Sequence, residues 1–368
     1  MAVVGLLAAL HSGSSDANAQ LEIPELAGTS TPGYLSGELI YALQDRPTPQ
    51  CHAPTIAATD DKLVAAWFGG TNEGHNDVGI WVSVHNGEQW APPKLVVDGS
   101  EGETRDYACW NPVFYQQDEG PLFLFYKVGP SPALWWGMLI TSDDAGKTWS
   151  KPRKLGESPA LFAANRNLLG PVKNKPIMLS TGVLLCPSST ENDGWRVHFE
   201  TTQDDGATWQ VTGPIDQESS FNAIQPTILQ HKSGRLQCLC RSQEGVIVET
   251  WSEDGGETWS PLAATALPNP NSGIDGVTLA NGQQLLVYNH TTREGTFPRG
   301  RNMLNIAIST DGKNWKPAMT LERDRGEFSY PSAIQAADGK VHVVYTWKRV
   351  GIKHVVIDPA RLFDESRQ

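Results

Sequence analysis

A short motif recurs along this chain at a nearly fixed interval, and that interval constrains the fold more than any other feature. Ser142-Asp-Asp-Ala-Gly-Lys-Thr-Trp149, Thr202-Gln-Asp-Asp-Gly-Ala-Thr-Trp209 and Ser252-Glu-Asp-Gly-Gly-Glu-Thr-Trp259 share the form S/T-x-D-x-G-x-T-W. Ser309-Thr-Asp-Gly-Lys-Asn-Trp315 is the same motif one residue shorter, and Ser83-Val-His-Asn-Gly-Glu-Gln-Trp90 is a degenerate copy. The terminal tryptophans are 59, 60, 50 and 56 residues apart. Each box reads as a hairpin turn. The Asp side chain accepts backbone N–H bonds, the Gly takes a positive φ, and the Trp packs between neighbouring sheets. A period of this length in strand-like sequence signals a propeller or solenoid. The boxes are structural, and none of their residues is assigned to catalysis.

A second pattern repeats within each period. Short strands carry or follow a proline: Cys51-His-Ala-Pro-Thr-Ile, Cys109-Trp-Asn-Pro-Val-Phe, Asn174-Lys-Pro-Ile-Met-Leu, Ile224-Gln-Pro-Thr-Ile-Leu and Ser329-Tyr-Pro-Ser-Ala-Ile. Gly273-Ile-Asp-Gly-Val-Thr-Leu fills the remaining place. A turn, a β-rich run and a third strand follow, giving six units of about four strands each. The abundance of Gly (35) and Pro (25) fits such a turn-rich chain. The predicted architecture is all-β, a six-bladed β-propeller of four-stranded antiparallel blades spanning 38–358. Its sixth unit lacks a box and closes the ring with a strand from Leu39 to Leu43.

Residues 20–37 form an N-terminal extension and 359–368 a C-terminal tail. Residues 1–19 read as a signal peptide: an apolar run from Ala2 to Leu10 precedes a small-x-small site at Ala17-Asn-Ala19, although no Lys or Arg precedes the run. A secreted or periplasmic protein is therefore expected, with no membrane span and as a monomer. The formal charge of −12 disfavours nucleic acid as a partner. The five cysteines include no CxxC pair and read as buried small hydrophobes. No His/Cys/Asp cluster has metal-ligand spacing and no Gly-rich loop joins a strand to a helix, so neither a metal nor another cofactor is expected.

These boxes are the Asp-boxes, or BNR repeats, of the sialidase superfamily, and from Leu39 to Ile357 the chain resembles its six-bladed propellers. The resemblance implies a site in which three arginines bind a substrate carboxylate, a Glu activates a Tyr nucleophile, and an Asp is the acid/base. Asp77, in Glu73-Gly-His-Asn-Asp77, matches the acid/base. Arg241, ending Ser233-Gly-Arg-Leu-Gln-Cys-Leu-Cys-Arg241, matches the second arginine. Arg301 matches the third, with Arg299 as an alternative, and Tyr330 matches the nucleophile. Two positions depart from the pattern. His52-Ala-Pro54 stands where the first arginine lies in an Arg-Ile-Pro motif, and Gln225 stands near the place of the activating Glu. Gly69-Gly70 also replaces a polar and basic pair.

At the funnel-lining end of blade 1, His52 suits a cation for a carboxylate or a general base near neutral pH. A second group, Arg105, Tyr107, Trp110, Asn111, Lys127, Trp135, Trp136, Lys173 and Lys175, sets aromatics beside cations and amides, as a sugar site requires. Asp275 and Asn174 are further candidates at the funnel wall. The expected function is exo-glycosidase action on a terminal acidic, sialic-acid-like sugar. Elimination next to a uronic acid, with His52 or Tyr330 as base, and carbohydrate binding without turnover are the alternatives. The expected partner is an acidic glycan or polysaccharide.

Overall fold

The computed structural model describes residues 22–363 apart from 60–61, 102–103, 106, 158–168, 193 and 217. The expected signal peptide lies outside the described residues, as do 364–368 of the tail. Six four-stranded antiparallel sheets succeed one another along the chain. Blade 1 comprises Gln50–Thr59, Lys62–Gly70, Gly79–His85 and Lys94–Val97. Blade 2 comprises Ala108–Gln116, Leu122–Gly129, Trp136–Ser142 and Arg153–Lys154. Blade 3 has a first strand of only two residues, Ile177–Met178, then Leu184–Thr190, Arg196–Thr202 and Gln210–Thr212. Blade 4 comprises Ala223–Gln230, Leu236–Ser242, Val246–Ser252 and Ala263–Pro268, and blade 5 comprises Asp275–Thr278, Gln284–Tyr288, Met303–Ser309 and Lys316–Arg323. Blade 6 comprises Phe328–Gln335, Val341–Trp347 and Gly351–Ile357, and its fourth strand comes from the other end of the chain.

That closing strand is Tyr34–Leu39, not the predicted 39–43; it pairs antiparallel with Gly351–Ile357. Ile40 and Tyr41, which gave 39–43 its strand-like look, instead pack between blades 6 and 1 with Trp67, Val344 and Ile352. Leu43–Asp45 turns the chain toward the first strand of blade 1. The propeller thus begins inside the predicted extension. The tail also contributes, because Leu362 is buried among the side chains of blades 5 and 6.

The boxes form as their chemistry requires. In blade 2 the Asp144 carboxylate accepts from Lys147 N, Thr148 N, Thr148 Oγ1 and Ser142 Oγ. Asp204, Asp254 and Asp311 repeat this in blades 3, 4 and 5, and Asn86 takes the same place in the degenerate copy. Each tryptophan can then bridge neighbouring sheets: Trp259 of blade 4 stacks on Phe199 of blade 3 at 3.9 Å between ring centroids. Trp259 is half-buried, so this contact contributes a part of the roughly 1.5–3 kcal/mol that full burial of a large apolar side chain gives.

Strand direction alternates within every blade, so the second-to-third hairpins open on one face and the boxes, on the third-to-fourth hairpins, on the other. At the inner ends of the first strands the ladder breaks. Register shifts bracket Ala53, Asn111, Gln225 and Tyr330, each with positive φ (50°, 38°, 56° and 53°) and each followed by a proline. Proline has no N–H for the ladder, and a bulge re-aims the side chain beside it. Gln225 of blade 4 thereby meets Tyr330 of blade 6, with Nε2 3.4 Å from Oη.

Hydrogen bonding lowers the carboxyls of Asp144, Asp204 and Asp254 from 3.8 to about 2. Their stabilising contribution is present above the unfolded value and is lost as pH falls from about 4 to about 2. Thermal melting followed by circular dichroism should show the midpoint dropping over that window. Asp254→Ala should have a lower midpoint at neutral pH and a shallower drop; an unchanged acid limb would disprove the assignment.

Candidate functional site

Four residues singled out from the sequence meet where blades 4, 5 and 6 converge. Arg241 ends the second strand of blade 4 and is buried. Its Nη1 donates to Tyr330 Oη at 2.6 Å and to Gln225 Oε1 at 3.1 Å, and its Nε donates to Asn271 Oδ1 at 2.8 Å. All three acceptors are neutral groups, and no carboxylate among the described residues lies within ion-pair distance of this guanidinium. Burial, which opposes its charge, is the main influence pushing it below its usual value. Trp195, on the second-to-third hairpin of blade 3, lies 5.0 Å from the guanidinium carbon, and Arg301 stands 5.3 Å from the Tyr330 ring. Gly273 leaves room for that ring, since a Cβ there would sit 3.2 Å from Tyr330 Cγ.

Beside this group Glu327 organises the other cations. Its Oε1 accepts from Arg301 Nη1 at 2.9 Å and Ser329 Oγ at 2.6 Å, and its Oε2 accepts from Arg349 Nε at 2.9 Å. Burial would raise this carboxyl, but the permanent charges of Arg301 and Arg349 outweigh burial and hold it well below the usual range. Arg349 was not among the sequence candidates. It sits at the tip of the blade 6 hairpin, where Lys348 and Arg349 both have positive φ (51° and 61°) and Val350 N bonds to Trp347 O at 3.2 Å. This is a two-residue type I′ turn, which ordinarily uses Asn-Gly. Two basic residues at such a tip are a sequence signal for function. Arg349 O accepts from Cys51 N at 2.9 Å, which fixes the hairpin next to His52. Arg301 thus links the two groups: with Arg241 it flanks Tyr330, and with Arg349 it holds Glu327.

His52 has a different place from the predicted one. It is 2% exposed, with its ring 4.1 Å from that of Tyr330 and Phe68 on another side. Its Nδ1 is 2.9 Å from Thr346 Oγ1, while Nε2 makes no hydrogen bond and lies 3.9 Å from Glu327 Oε1. Burial first, then Arg349, lowers its pKa well below the usual value, so the ring is neutral. An enclosed, neutral imidazole offers no cation here, whereas the Arg349 guanidinium lies at the same corner, on Glu327 and Glu73.

Asp77 lies in the second-to-third loop of blade 1, where Gly70 permits a close approach: a Cβ there would sit 2.6 Å from Asp77 Oδ1. Its carboxylate accepts from Thr71 N (3.0 Å) and Thr71 Oγ1 (2.6 Å) and pairs with His75. Burial raises this carboxyl, but the bonds from Thr71 and His75 outweigh it and lower it overall. Glu73, in the same loop, reaches Arg349 Nη1 at 2.6 Å. Glu191, in the Trp195 hairpin, is raised by burial against the opposing pull of Arg241.

The expected cationic patch of blades 2 and 3 does not assemble, because its lysines are internal struts. Lys127 is fully buried and donates to the carbonyls of Leu169 (2.5 Å) and Gly170 (2.8 Å). Lys173 crosses the ring to Ile274 O at 2.7 Å and to Pro331 O. Lys175 pairs with Asp275 at 2.8 Å; Asp275 is buried and also accepts from Thr227 Oγ1 and Ala333 N, so it ties blades together. Trp110 is packed against Phe68 and Trp135, with its indole N–H on Gly129 O at 2.9 Å. Asn111 is buried at its bulge. The backbone of Arg105 belongs to a two-stranded ribbon, Ser100–Glu101 with Thr104–Arg105; its side chain is outside the described ones. Sequence alone could not separate these buried lysines from exposed ones, since both leave the same alternating pattern.

Residues 61–343 match the BNR repeat-like domain, and the chain belongs to that family. It is thereby a member of the sialidase superfamily. It is 25% identical over 235 residues to the anhydrosialidase of Macrobdella decora; the match covers 56% of this chain and 29% of that protein's length. In fold it is similar to a protein of unknown function from Dyadobacter fermentans (TM-score 0.72, 17% identity, 88% of this chain and 98% of that one). It is likewise similar to the intramolecular trans-sialidase of Ruminococcus gnavus (TM-score 0.70, 14% identity, 90% and 99%). Among the described residues no helix is long and apolar enough to cross a membrane.

Lys173→Met would leave the carbonyls of Ile274 and Pro331 without their donor. Urea unfolding should show a loss of about 2–3 kcal/mol. A change within experimental error would mean that water replaces the ammonium and that the strut is dispensable.

Proposed function

We infer that the protein is a sialidase-like hydrolase that releases a terminal acidic, sialic-acid-like sugar from glycans. The observation that carries this reading is Arg241, a buried guanidinium bonded only to neutral groups and set against the Tyr330 hydroxyl. A buried cation without an anion is costly, and a substrate carboxylate supplies one. Arg301 and Arg349, fixed by Glu327, stand ready to share it.

Tyr330 Oη then attacks the anomeric carbon. A neutral attacker suits a carbon that bears a carboxylate, because it avoids charge repulsion. The bond from oxygen to the anomeric carbon forms, the glycosidic C–O bond breaks, and Asp77 gives its proton to the leaving oxygen. The phenolic proton passes to solvent. Water next attacks the anomeric carbon and loses a proton to Asp77 while the bond from Tyr330 Oη to that carbon breaks, and the released phenolate takes a proton back from solvent. Asp77 must first be protonated, which requires loosening its bonds to Thr71 and His75. His52 acts here as a positioning residue, its ring packed against the Tyr330 ring.

Gln225 favours a second reading, carbohydrate binding without turnover. Arg241 and Gln225 both donate to Tyr330 Oη, and a glutamine cannot take the phenolic proton. The elimination reading has less support, because the His52 imidazole is enclosed.

Mass spectrometry of products from sialylated glycans and uronate-containing polysaccharides separates the readings. Hydrolysis adds one water to the broken linkage, whereas an unsaturated uronate would establish elimination and overturn the proposal. Tyr330→Phe should abolish turnover. Arg241→Met should lower kcat/KM by roughly 10²- to 10³-fold, about 3–4 kcal/mol. General-base assistance is worth about 10²- to 10⁴-fold. Gln225→Glu restores such a base but also pairs with Arg241, so kcat should rise by on the order of tenfold while KM rises. Binding without turnover, unrescued by Gln225→Glu, would leave the lectin-like reading.

A further inference from the structure

Arg349 has more carboxylate contact than its position requires. Glu327 already orients it through Nε, and Glu327 is itself locked by Arg301 and Ser329. The Glu73 contact is of another kind. It comes from a loop 276 residues distant in sequence, uses the other edge of the guanidinium (Nη1 at 2.6 Å), and is exposed at 41% on the Glu73 side. Glu327 needs to stay in place for Arg301 and Arg349 to keep their orientation, whereas Glu73 can leave without unpairing a buried charge.

We propose that Glu73 is a specificity-determining residue, an internal carboxylate that occupies Arg349 until a ligand carboxylate displaces it. This rests on the reading of Arg349 as one of the groups that bind the substrate acid. Displacement has a second consequence, because Glu73 shares its loop with Asp77. Between them Gly74, at φ 84°, lies against the Trp110 ring, so that a Cβ there would sit 3.3 Å from Trp110 Cη2. Arrival of an acidic sugar at Arg349 therefore frees one of the loop's tethers at the moment when Asp77 must exchange its bonds to Thr71 and His75 for the leaving oxygen. A neutral sugar cannot displace Glu73 from the arginine and leaves the loop tethered. Glu73 thus selects for ligands whose carboxylate engages Arg349 together with Arg241 and Arg301.

The test is isothermal titration calorimetry on the full chain with N-acetylneuraminic acid, its methyl ester and glucuronic acid. An exposed ion pair is weak. Glu73→Gln should therefore tighten binding of an acid by roughly two- to fivefold and leave the ester unchanged. Arg349→Met should weaken acid binding and cancel the gain from Glu73→Gln in the double variant. Arg349→Lys preserves a cation for Glu327 and guards against misfolding of the Met variant; it should be weakened too, and should gain less from Glu73→Gln. Acid binding that is unchanged or weaker in Glu73→Gln, alongside weakening in the Arg349 variants, overturns the internal competitor and leaves the functional reading intact. Acid binding indifferent to Arg349, or absent for both acids, overturns the carboxylate reading and the competitor with it.

Discussion

The site depends on one backbone constraint, the bulge at the inner end of the first strands. A regular strand would send alternate side chains up and down its own sheet and none along the propeller axis. A residue with positive φ followed by proline interrupts the ladder where the blades converge, and the interruption turns one side chain toward its counterparts in other blades. Gln225 and Tyr330 occupy two such bulges and meet across 105 residues of sequence. Positive φ strains non-glycine residues by about 1–3 kcal/mol each, and the packing of six blades around a closed ring supplies the restraint that keeps them so. Fold and site are coupled here: loosening the ring would relax the bulges and separate the residues that they hold together.

Charge then decides what the cluster can hold. Two guanidiniums, Arg241 and Arg301, lie against Tyr330, and Glu327 holds Arg301 and Arg349 through separate oxygens. Glu73 adds an exposed contact to Arg349, and Arg241 is left with neutral acceptors. Arg241 is therefore the one of the three guanidiniums that no carboxylate among the described residues bonds, and an anionic ligand is favoured there. The buried cations elsewhere behave differently. Lys127 and Lys173 are encircled by backbone carbonyls, which neutralise their demand for acceptors internally and leave them nothing to offer a ligand.

The architecture was legible because each box is a local device. Asp, Gly and Trp at fixed offsets fold a hairpin whatever surrounds it, so five copies announce the blades before any contact is known. The closing strand was less legible, since Ile40 and Tyr41 are as apolar as a strand but serve the interface between two blades. Arg241, Arg301, Gln225 and Tyr330 were singled out through the sialidase resemblance, which ties each to a definite place relative to a strand or box, and the structure brings them together. Arg349 was not, because only ring closure brings its hairpin tip beside blade 1. His52, Lys127 and Asp275 were misread for one reason: sequence shows a polar residue near the axis but not whether its atoms face the opening or the neighbouring blade.

The two departures from the sialidase pattern have different consequences. In the proposed reading, His52 in place of the first-strand arginine removes a cation, and Arg349 supplies one from the adjoining hairpin, on the Glu327 scaffold. Recognition of a carboxylate needs positive charge and donors at the right place, and it is indifferent to which strand supplies them. Replacing the activating Glu with Gln225 is not compensated in the same way. The amide preserves the bond to Arg241, but among the described residues both groups bonded to Tyr330 Oη, Gln225 Nε2 and Arg241 Nη1, are donors and neither can take its proton. In the proposed reading binding and proton transfer are thus separable, and the arginines serve the first more completely than Gln225 serves the second.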